Sequence, residues 1–315
     1  MNKTKYNFIA VLALVFMANV ACKDTKTEQS HGKDNKTEHI QLTHKLGEVS
    51  VEKEPKTVVA LDYGALENLD QLGVAVAGIP KSHVPDYLNT YNEDSNVADL
   101  GTIFEVDYEK LNDLNPDVIF ISARMLKNYE ELSKIAPTVY IESEQGKELQ
   151  SVVSNLNLFG EIFNKVEAAE RIASNLSADI QKLNDTVKAS NKNALILMYN
   201  NGKFSAFGKA SRFGVIHNLF GFKEAQDGLD TARHGQAVSN EFIQKVNPDY
   251  LFIIDRSAVV NKSATNKEAI ENVLIKETTA FKNNKIIYLD PEAWYLSGEG
   301  ATSFGLMVNE VKDNF

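Results

Sequence analysis

The chain has 315 residues, of which 33 are basic and 43 acidic, so its formal net charge at pH 7 is −10. An acidic chain of this kind repels a polyphosphate backbone, which argues against a nucleic-acid partner. Its single cysteine excludes an intramolecular disulfide and a metal cluster built on cysteines.

The first residues have the pattern of a bacterial lipoprotein signal. Two lysines precede an apolar run over residues 8–17, and small residues then lead to Cys22. This pattern predicts a signal peptide over residues 1–21, cleaved before Cys22, whose thiol would carry a lipid. The alternative is an ordinary secretory signal or an uncleaved anchor, since Asn19 stands where an aliphatic residue is usual. Export across the inner membrane follows from either.

Residues 22–38 are predicted to be a flexible tether. After Cys22 they are almost entirely polar and contain no aliphatic residue, so they cannot bury a core. No second apolar run in the sequence is long enough to span a bilayer. We therefore expect a folded body that is held at the membrane through its N-terminus.

Residues 39–163 are predicted to form an N-terminal α/β lobe. It opens with polar and apolar residues alternating around Gly47, which predicts an edge hairpin. Alternating strands and helices follow in a Rossmann-like pattern, without the glycine-rich fingerprint that would bind a dinucleotide. The predicted elements are a hairpin at 39–52, strands at 57–63, 74–80, 118–121 and 138–141, and a helix at 65–72.

A 21-residue stretch occurs twice. Residues 104–124 and 236–256 lie 132 positions apart and are identical at eight positions. Each copy predicts a capped short helix, a break at Asn-Pro-Asp and a buried strand, and each ends in an arginine, Arg124 or Arg256. Open parallel sheets bind ligands at the carboxyl ends of their strands, so we expect one arginine from each lobe at a shared cleft. The alternative for either is a solvated arginine at a strand end.

Residues 164–190 are predicted to form one helix that connects the lobes. Apolar residues recur at helical spacing from Asn164, and 26 residues without glycine or proline would span roughly 39 Å at about 1.5 Å per residue. Residues 191–315 then form a C-terminal α/β lobe, with a hairpin turn at Asn201-Gly202 and a last helix that starts near Ala301. A single stiff connector predicts lobes that rotate little.

Three stretches of the C-terminal half carry a resemblance to a known family. They are FGKASRFGVIHNLFGF at residues 207–222, RHGQAVSNEFI at 233–243 and YLDPEAWYLSGEG at 288–300. With the paired lobes, they resemble the substrate-binding lipoproteins of ABC importers for ferric siderophores, vitamin B12 and haem, and are most similar to binders of catecholate siderophores. The resemblance implies a class III periplasmic binding protein: an α/β fold of two Rossmann-like lobes joined by a single long α-helix, with no catalytic activity and no intrinsic cofactor.

The resemblance also implies a site for a ferric siderophore. Three arginines line the cleft of such proteins, and the matching residues here are Arg124, Arg212 and Arg256. A histidine and a tyrosine that can coordinate Fe(III) directly match His234 and Tyr295, provided that a tetradentate siderophore leaves two positions open at the iron. Guanidinium groups suit a ferric catecholate because they pair with its oxygens and stack on its rings. Read without the resemblance, these side chains are ordinary surface cations, a solvent-facing histidine and a packing tyrosine.

Glu109 and Glu241 occupy the same position in the two repeats. In B12-type relatives one surface glutamate per lobe docks onto arginines of the permease, and the resemblance implies that role for this pair. The alternative is that each carboxylate complements the dipole of its helix. The implied partners are ABC permease subunits of the inner membrane. The protein implied by the resemblance is a monomer that a lipid tethers in the periplasm. Exposure at the outer surface of the cell is an alternative location.

Other functions are alternatives to a ferric catecholate binder. Haem, a corrinoid or a hydroxamate siderophore would use the same kind of cleft. A tetrapyrrole chelatase can also use paired α/β lobes with a histidine between them, although a lipoprotein signal argues against this enzyme. The sequence contains no Gly-x-Ser-x-Gly elbow, no Walker loop and no His-Glu-x-x-His motif, which argues against the enzymes that need them.

Overall fold

The computed structural model describes residues 38–229 and 234–315. The predicted signal peptide, Cys22 and nearly all of the predicted tether lie outside the described residues. Within the described ranges, no helix combines the length and the apolar composition that crossing a membrane requires.

The N-terminal lobe is built on a parallel sheet. Its elements, in chain order, are β1 (His39–His44), β2 (Gly47–Glu52), β3 (Val58–Ala60), α1 (Tyr63–Gln71), β4 (Gly78–Ile79), α2 (Asn89–Glu93), β5 (Ala98–Asp99), α3 (Tyr108–Leu114), β6 (Val118–Ile121), α4 (Tyr129–Leu132), β7 (Thr138–Tyr140) and α5 (Glu148–Ile162). Five strands pair in the order β5-β4-β3-β6-β7, all parallel. The predicted hairpin is confirmed, but β1 and β2 form a two-stranded sheet of their own instead of an edge of the larger one.

The connecting helix is α6 (Val166–Ser190), which has 25 residues and is about 37 Å long. It begins two residues later than predicted because Asn164 takes a left-handed φ of 54°, a conformation that a helix interior does not allow. Its apolar stripe packs on α5. The buried apolar residues of this stripe are Ala169, Ala173, Leu176, Ile180, Leu183 and Val187.

The C-terminal lobe is built on a mixed sheet. Its elements are β8 (Asn193–Asn200), β9 (Lys203–Phe207), α7 (Val215–Asn218), β10 (Lys223–Glu224), β11 (Gln236–Val238), α8 (Asn240–Val246), β12 (Tyr250–Asp255), α9 (Arg256–Asn261), α10 (Lys267–Ile270), α11 (Val273–Lys276), α12 (Thr279–Lys282), β13 (Ile286–Leu289) and α13 (Ala301–Asn314). The strand order is β11-β9-β8-β12-β13, with β10 beside β8. β8, β12 and β13 are parallel, whereas β9 returns antiparallel through the predicted Asn201-Gly202 turn.

The sequence repeat folds in the same way in both lobes. Asp107 and Ser239 cap α3 and α8, each accepting a hydrogen bond from the backbone N–H three residues later, at 3.1 and 3.2 Å. Asn115 and Asn247 end these helices in the left-handed conformation, with φ of 47° and 48°. The strands β6 and β12 then follow, buried along their whole length. Equivalent strand ends therefore carry the two repeated arginines.

The two lobes share one hydrophobic core behind the cleft. The C-terminal helix α13 packs against both α1 and α6, and so returns to the N-terminal lobe. The core runs without interruption from Phe159 on α5 to Phe213, Trp294 and Phe304 in the C-terminal half. Because packed interiors resist shear, this shared core and the α6 connector favour small lobe rotations over wide closure.

Candidate functional site

One cavity of about 960 Å³ opens between the lobes, where strands of both sheets end. Residues just after β6 and β7 line it on one side, and residues at or after the ends of β8, β12 and β13 line it on the other. All five side chains implied as ligand-binding are part of its wall: Arg124, Arg212, Arg256, His234 and Tyr295.

The three arginines converge on a single residue, Tyr295. Arg124 and Arg212 each donate from Nη2 to its backbone carbonyl oxygen, at 3.0 and 3.2 Å. Arg256 donates from Nε to the phenol oxygen at 2.7 Å, and from Nη1 to Asn200 Oδ1 at 3.2 Å. Tyr295 lies on a π-helical turn, Glu292–Leu296, that directly follows β13. This turn thus accepts hydrogen bonds from the guanidinium groups of three separate segments of the chain, one of them in the other lobe.

Aromatic rings hold two of these guanidinium groups. The Arg212 guanidinium lies 4.9 Å from the ring centroid of Phe213 and 5.1 Å from that of Tyr295. The Arg256 guanidinium lies 5.5 Å from the Tyr295 centroid. Cation–π contacts offset part of the cost of crowding positive charges in a partly dry cleft. They also restrict the guanidinium groups before any ligand arrives.

A network of buried polar groups fixes the segment after this turn to the N-terminal lobe. Glu67 on α1 is fully buried and accepts hydrogen bonds from the hydroxyls of Tyr87 and Ser297, at 2.8 and 2.5 Å, and from the Ser303 backbone N–H at 2.7 Å. Burial raises the pKa of Glu67. Two of these donors, Ser297 and Ser303, belong to the segment that follows Tyr295, so the buried carboxyl group ties this segment to α1.

Glu299 is an acidic residue on the wall of this basic cavity. Burial raises its pKa to about 7; the neighbouring charge of Asp62 adds to the shift, and the guanidinium groups of Arg124 and Arg212 oppose it. Sequence patterns did not single out Glu299, because a glutamate in a Ser-Gly-Glu-Gly segment has no spacing that distinguishes it from a loop residue.

His234 lies at the cavity and is exposed to solvent. The next residue, Gly235, has a φ of 70°, and a Cβ there would come within 2.7 Å of the Phe207 ring. Only glycine therefore fits beside this histidine. Within residues 38–229 and 234–315, no group of three or more His, Cys, Asp or Glu side chains could hold a metal ion. Direct coordination of iron by His234 and Tyr295 stays a prediction that depends on oxygens supplied by the ligand.

Glu109 and Glu241 are both exposed and lie at the second position of α3 and α8. A hydrogen bond with the Ser239 side chain lowers the pKa of Glu241. Neither residue is among those that line the cavity. Their exposure leaves them accessible to another protein, and their docking role stays a prediction.

Phe104 is a residue of the cavity wall that the sequence did not identify as functional. It is 66% exposed, which is unusual for phenylalanine. A tight turn presents it, because Thr102 Oγ1 accepts hydrogen bonds from the backbone N–H groups of Phe104 and Glu105 at 3.0 and 2.9 Å. Its exposure depends on which residues the opposite lobe brings near, so no local pattern could have found it.

Comparison with known proteins finds relatives that are named for siderophore binding. The family described as Periplasmic binding protein matches residues 58–293. The petrobactin-binding protein YclQ of Bacillus subtilis is 42% identical over 99% of both chains; its crystal structure covers 88% of this chain and 98% of its own, with a TM-score of 0.85. The ferric-anguibactin-binding protein FatB of Vibrio anguillarum is 33% identical over 99% of this chain and 98% of its own. The catecholate-siderophore-binding protein VctP of Vibrio cholerae is 33% identical, covers 88% of this chain and all of its own, and has a TM-score of 0.83.

Proposed function

Because the chain belongs to the periplasmic binding protein family, we propose that it is the substrate-binding component of an ABC importer and that its cargo is a ferric siderophore of the catecholate type. It is a binding protein and not an enzyme. The relatives named for petrobactin, ferric anguibactin and catecholate siderophores support this class of cargo.

The observation that carries the proposal is the convergence of Arg124, Arg212 and Arg256 on Tyr295, inside one cavity. A ferric catecholate is a compact anion with aromatic rings. Its oxygens can accept hydrogen bonds from guanidinium forks, and its rings can stack on the planar cations. The acidic net charge of the whole chain does not oppose the binding of an anion. The electrostatic potential at the site depends mainly on charges within about 8 Å at physiological salt. The exposed ring of Phe104 offers a further apolar surface for a catechol.

The arginines can supply much of the affinity. A charge-assisted hydrogen bond contributes about 1.5 to 3 kcal/mol. Three such contacts amount to roughly 4 to 9 kcal/mol of favourable interaction, part of which offsets the loss of translational and rotational freedom on association. The cation–π contacts already orient two of the guanidinium groups, so less side-chain freedom is lost on binding.

For a siderophore that fills only four positions at iron, we propose that His234 and Tyr295 supply the remaining two. The bond from Arg256 fixes the Tyr295 ring, and His234 lies at the cavity beside Gly235, whose left-handed conformation suits glycine. Metal binding favours the deprotonated phenol and the neutral imidazole. A hexadentate siderophore would bind through the arginines alone.

Delivery to the importer extends the proposal beyond the cleft. We propose that Glu109 and Glu241, exposed at equivalent places in the two lobes, contact the permease. We further propose a monomer that is tethered through a lipid on Cys22 in the periplasm. The surface glutamates and the cavity are separate groups of residues, so docking and ligand binding can be tested independently.

Fluorescence of Trp294 tests the cargo directly. It is the chain's one tryptophan, it is 1% exposed and it lines the cavity. Titration with a ferric bis-catecholate should quench its emission to saturation with a dissociation constant of micromolar or below. The iron-free ligand and free tryptophan serve as controls for non-specific quenching. Stronger binding of haem, cobalamin or a ferric hydroxamate would reject the catecholate assignment.

A further inference from the structure

Glu299 is an anomaly in a cavity suited to anions. It lines the same cavity as Arg124 and Arg212, yet its own charge has the sign of the proposed cargo. The main interactions of its carboxyl group are electrostatic: the two guanidinium groups attract it, and the buried Asp62 and Glu67 repel it. A residue placed this way either neutralises the arginines or meets the ligand itself.

The backbone holds Glu299 at the wall. A Cβ on Gly64, in the first turn of α1, would lie 3.0 Å from the Glu299 carbonyl carbon, and a Cβ on Gly300 would overlap the Glu67 carboxylate. These close approaches, with the Ser297 and Ser303 bonds to Glu67, leave the segment little room to withdraw. An anion that enters the cavity therefore contacts Glu299 in this position.

Glu299 is poised between its two protonation states near neutral pH. Burial and then Asp62 raise its pKa to about 7, while Arg124 and Arg212 oppose the rise. Two further acidic groups face it: the buried Glu67, and the Tyr140 phenol, whose own pKa is raised by burial and then by the charge of Glu299. An anionic ligand adds another negative charge to these surroundings, which favours the protonated form still further.

We propose that Glu299 is a ligand-binding residue that is protonated in the complex and donates a hydrogen bond to an anionic oxygen of the ferric siderophore. This inference rests on the proposed function. The proton comes from solvent or buffer and forms the O–H bond of the Glu299 carboxyl group, and no other covalent bond is made. Because the complex holds one proton more than the ionised free protein, affinity falls as the pH rises above the pKa of Glu299 in the free protein. The fall reaches tenfold per pH unit until the pKa in the complex is approached.

Calorimetry in buffers of different ionisation enthalpy counts the protons taken up with a hexadentate ferric tris-catecholate, which leaves no position at the iron for the Tyr295 phenol and so no proton to be lost there. For a free-protein pKa of about 7, wild-type protein should take up about 0.5 proton at pH 7 and about 0.9 at pH 8. In Glu299→Gln, a neutral donor of the same shape, the uptake should vanish. That variant should match the wild type at pH 6 and bind up to about tenfold more tightly at pH 8.

Glu310→Gln is the matched control. Its pKa is also raised to about 7 by burial, but Glu310 is not among the cavity-lining residues, so this variant should retain the uptake. Wild-type binding without proton uptake, uptake that survives in Glu299→Gln, or affinity that drops in this variant at every pH would each overturn the inference while leaving the proposed function intact. Failure of the wild-type protein to bind at all would overturn both.

Discussion

Replacing Arg124 by alanine removes the one cavity arginine that the N-terminal lobe contributes. Its half-buried guanidinium donates to the Tyr295 carbonyl at 3.0 Å, so it already lies where a ligand oxygen would compete for it. Loss of one charge-assisted contact costs about 1.5 to 3 kcal/mol of binding free energy. We expect Arg124→Ala to weaken ferric bis-catecholate binding roughly tenfold to a hundredfold.

The assay is Trp294 quenching at about 0.1 M and about 1 M salt, with Arg171→Ala as the matched control. Arg171 is exposed on α6 and does not line the cavity, yet its loss changes the net charge equally. Because the Debye length falls from about 10 Å to about 3 Å between these salts, any effect of Arg171→Ala should disappear at high salt while that of Arg124→Ala persists. If Arg124→Ala folds normally and binds within about twofold of Arg171→Ala, the contact reasoning is wrong.

Three further variants test separate parts of the molecule. His234→Ala should weaken binding of a tetradentate ferric catecholate at least about tenfold more than binding of a hexadentate one, since only the former leaves iron positions open; equal losses would eliminate direct coordination. Charge reversal of both Glu109 and Glu241 to lysine should abolish uptake by cells and leave ligand affinity unchanged, and persistent transport would refute docking. Trp294 Nε1 donates to Glu310 Oε2 at 2.8 Å, so tryptophan emission should titrate near pH 7, and Glu310→Gln should remove that titration.

The titration of Glu310 also predicts how the stability of the folded protein changes with pH. Burial raises the pKa of Glu310 from 4.5 to about 7 in the folded protein, so the folded state binds more protons than the unfolded state between these values. The free energy of unfolding should therefore decrease as the pH rises from about 4.5 to 7. Chemical denaturation of wild type and Glu310→Gln across this range measures the difference, and identical pH profiles would contradict the reasoning.

The helices and strands of the repeats could be predicted from the sequence because the signals that determine them lie within short stretches of chain. The caps Asp107 and Ser239, the Asn-Pro-Asp breaks and the continuous apolar strands determine both repeats, and the structure has the helices and strands where these signals stand. The α6 stripe follows in the same way from helical periodicity, with only its start displaced by the left-handed Asn164. The placement of Arg124 and Arg256 at matching strand ends could be anticipated because parallel strands present their carboxyl ends to one edge.

Only the tertiary structure determines which groups the side chains of the cavity contact. The Tyr295 carbonyl that Arg124 and Arg212 share lies 171 and 83 positions away along the chain, so no spacing rule could pair them. The protonation of Glu299 depends on burial and on charges from several segments, and electrostatic energies follow distance in space and local solvation. Side-chain type and local conformation are properties of short stretches of chain, whereas the chemistry of this cleft arises from segments that only folding brings together.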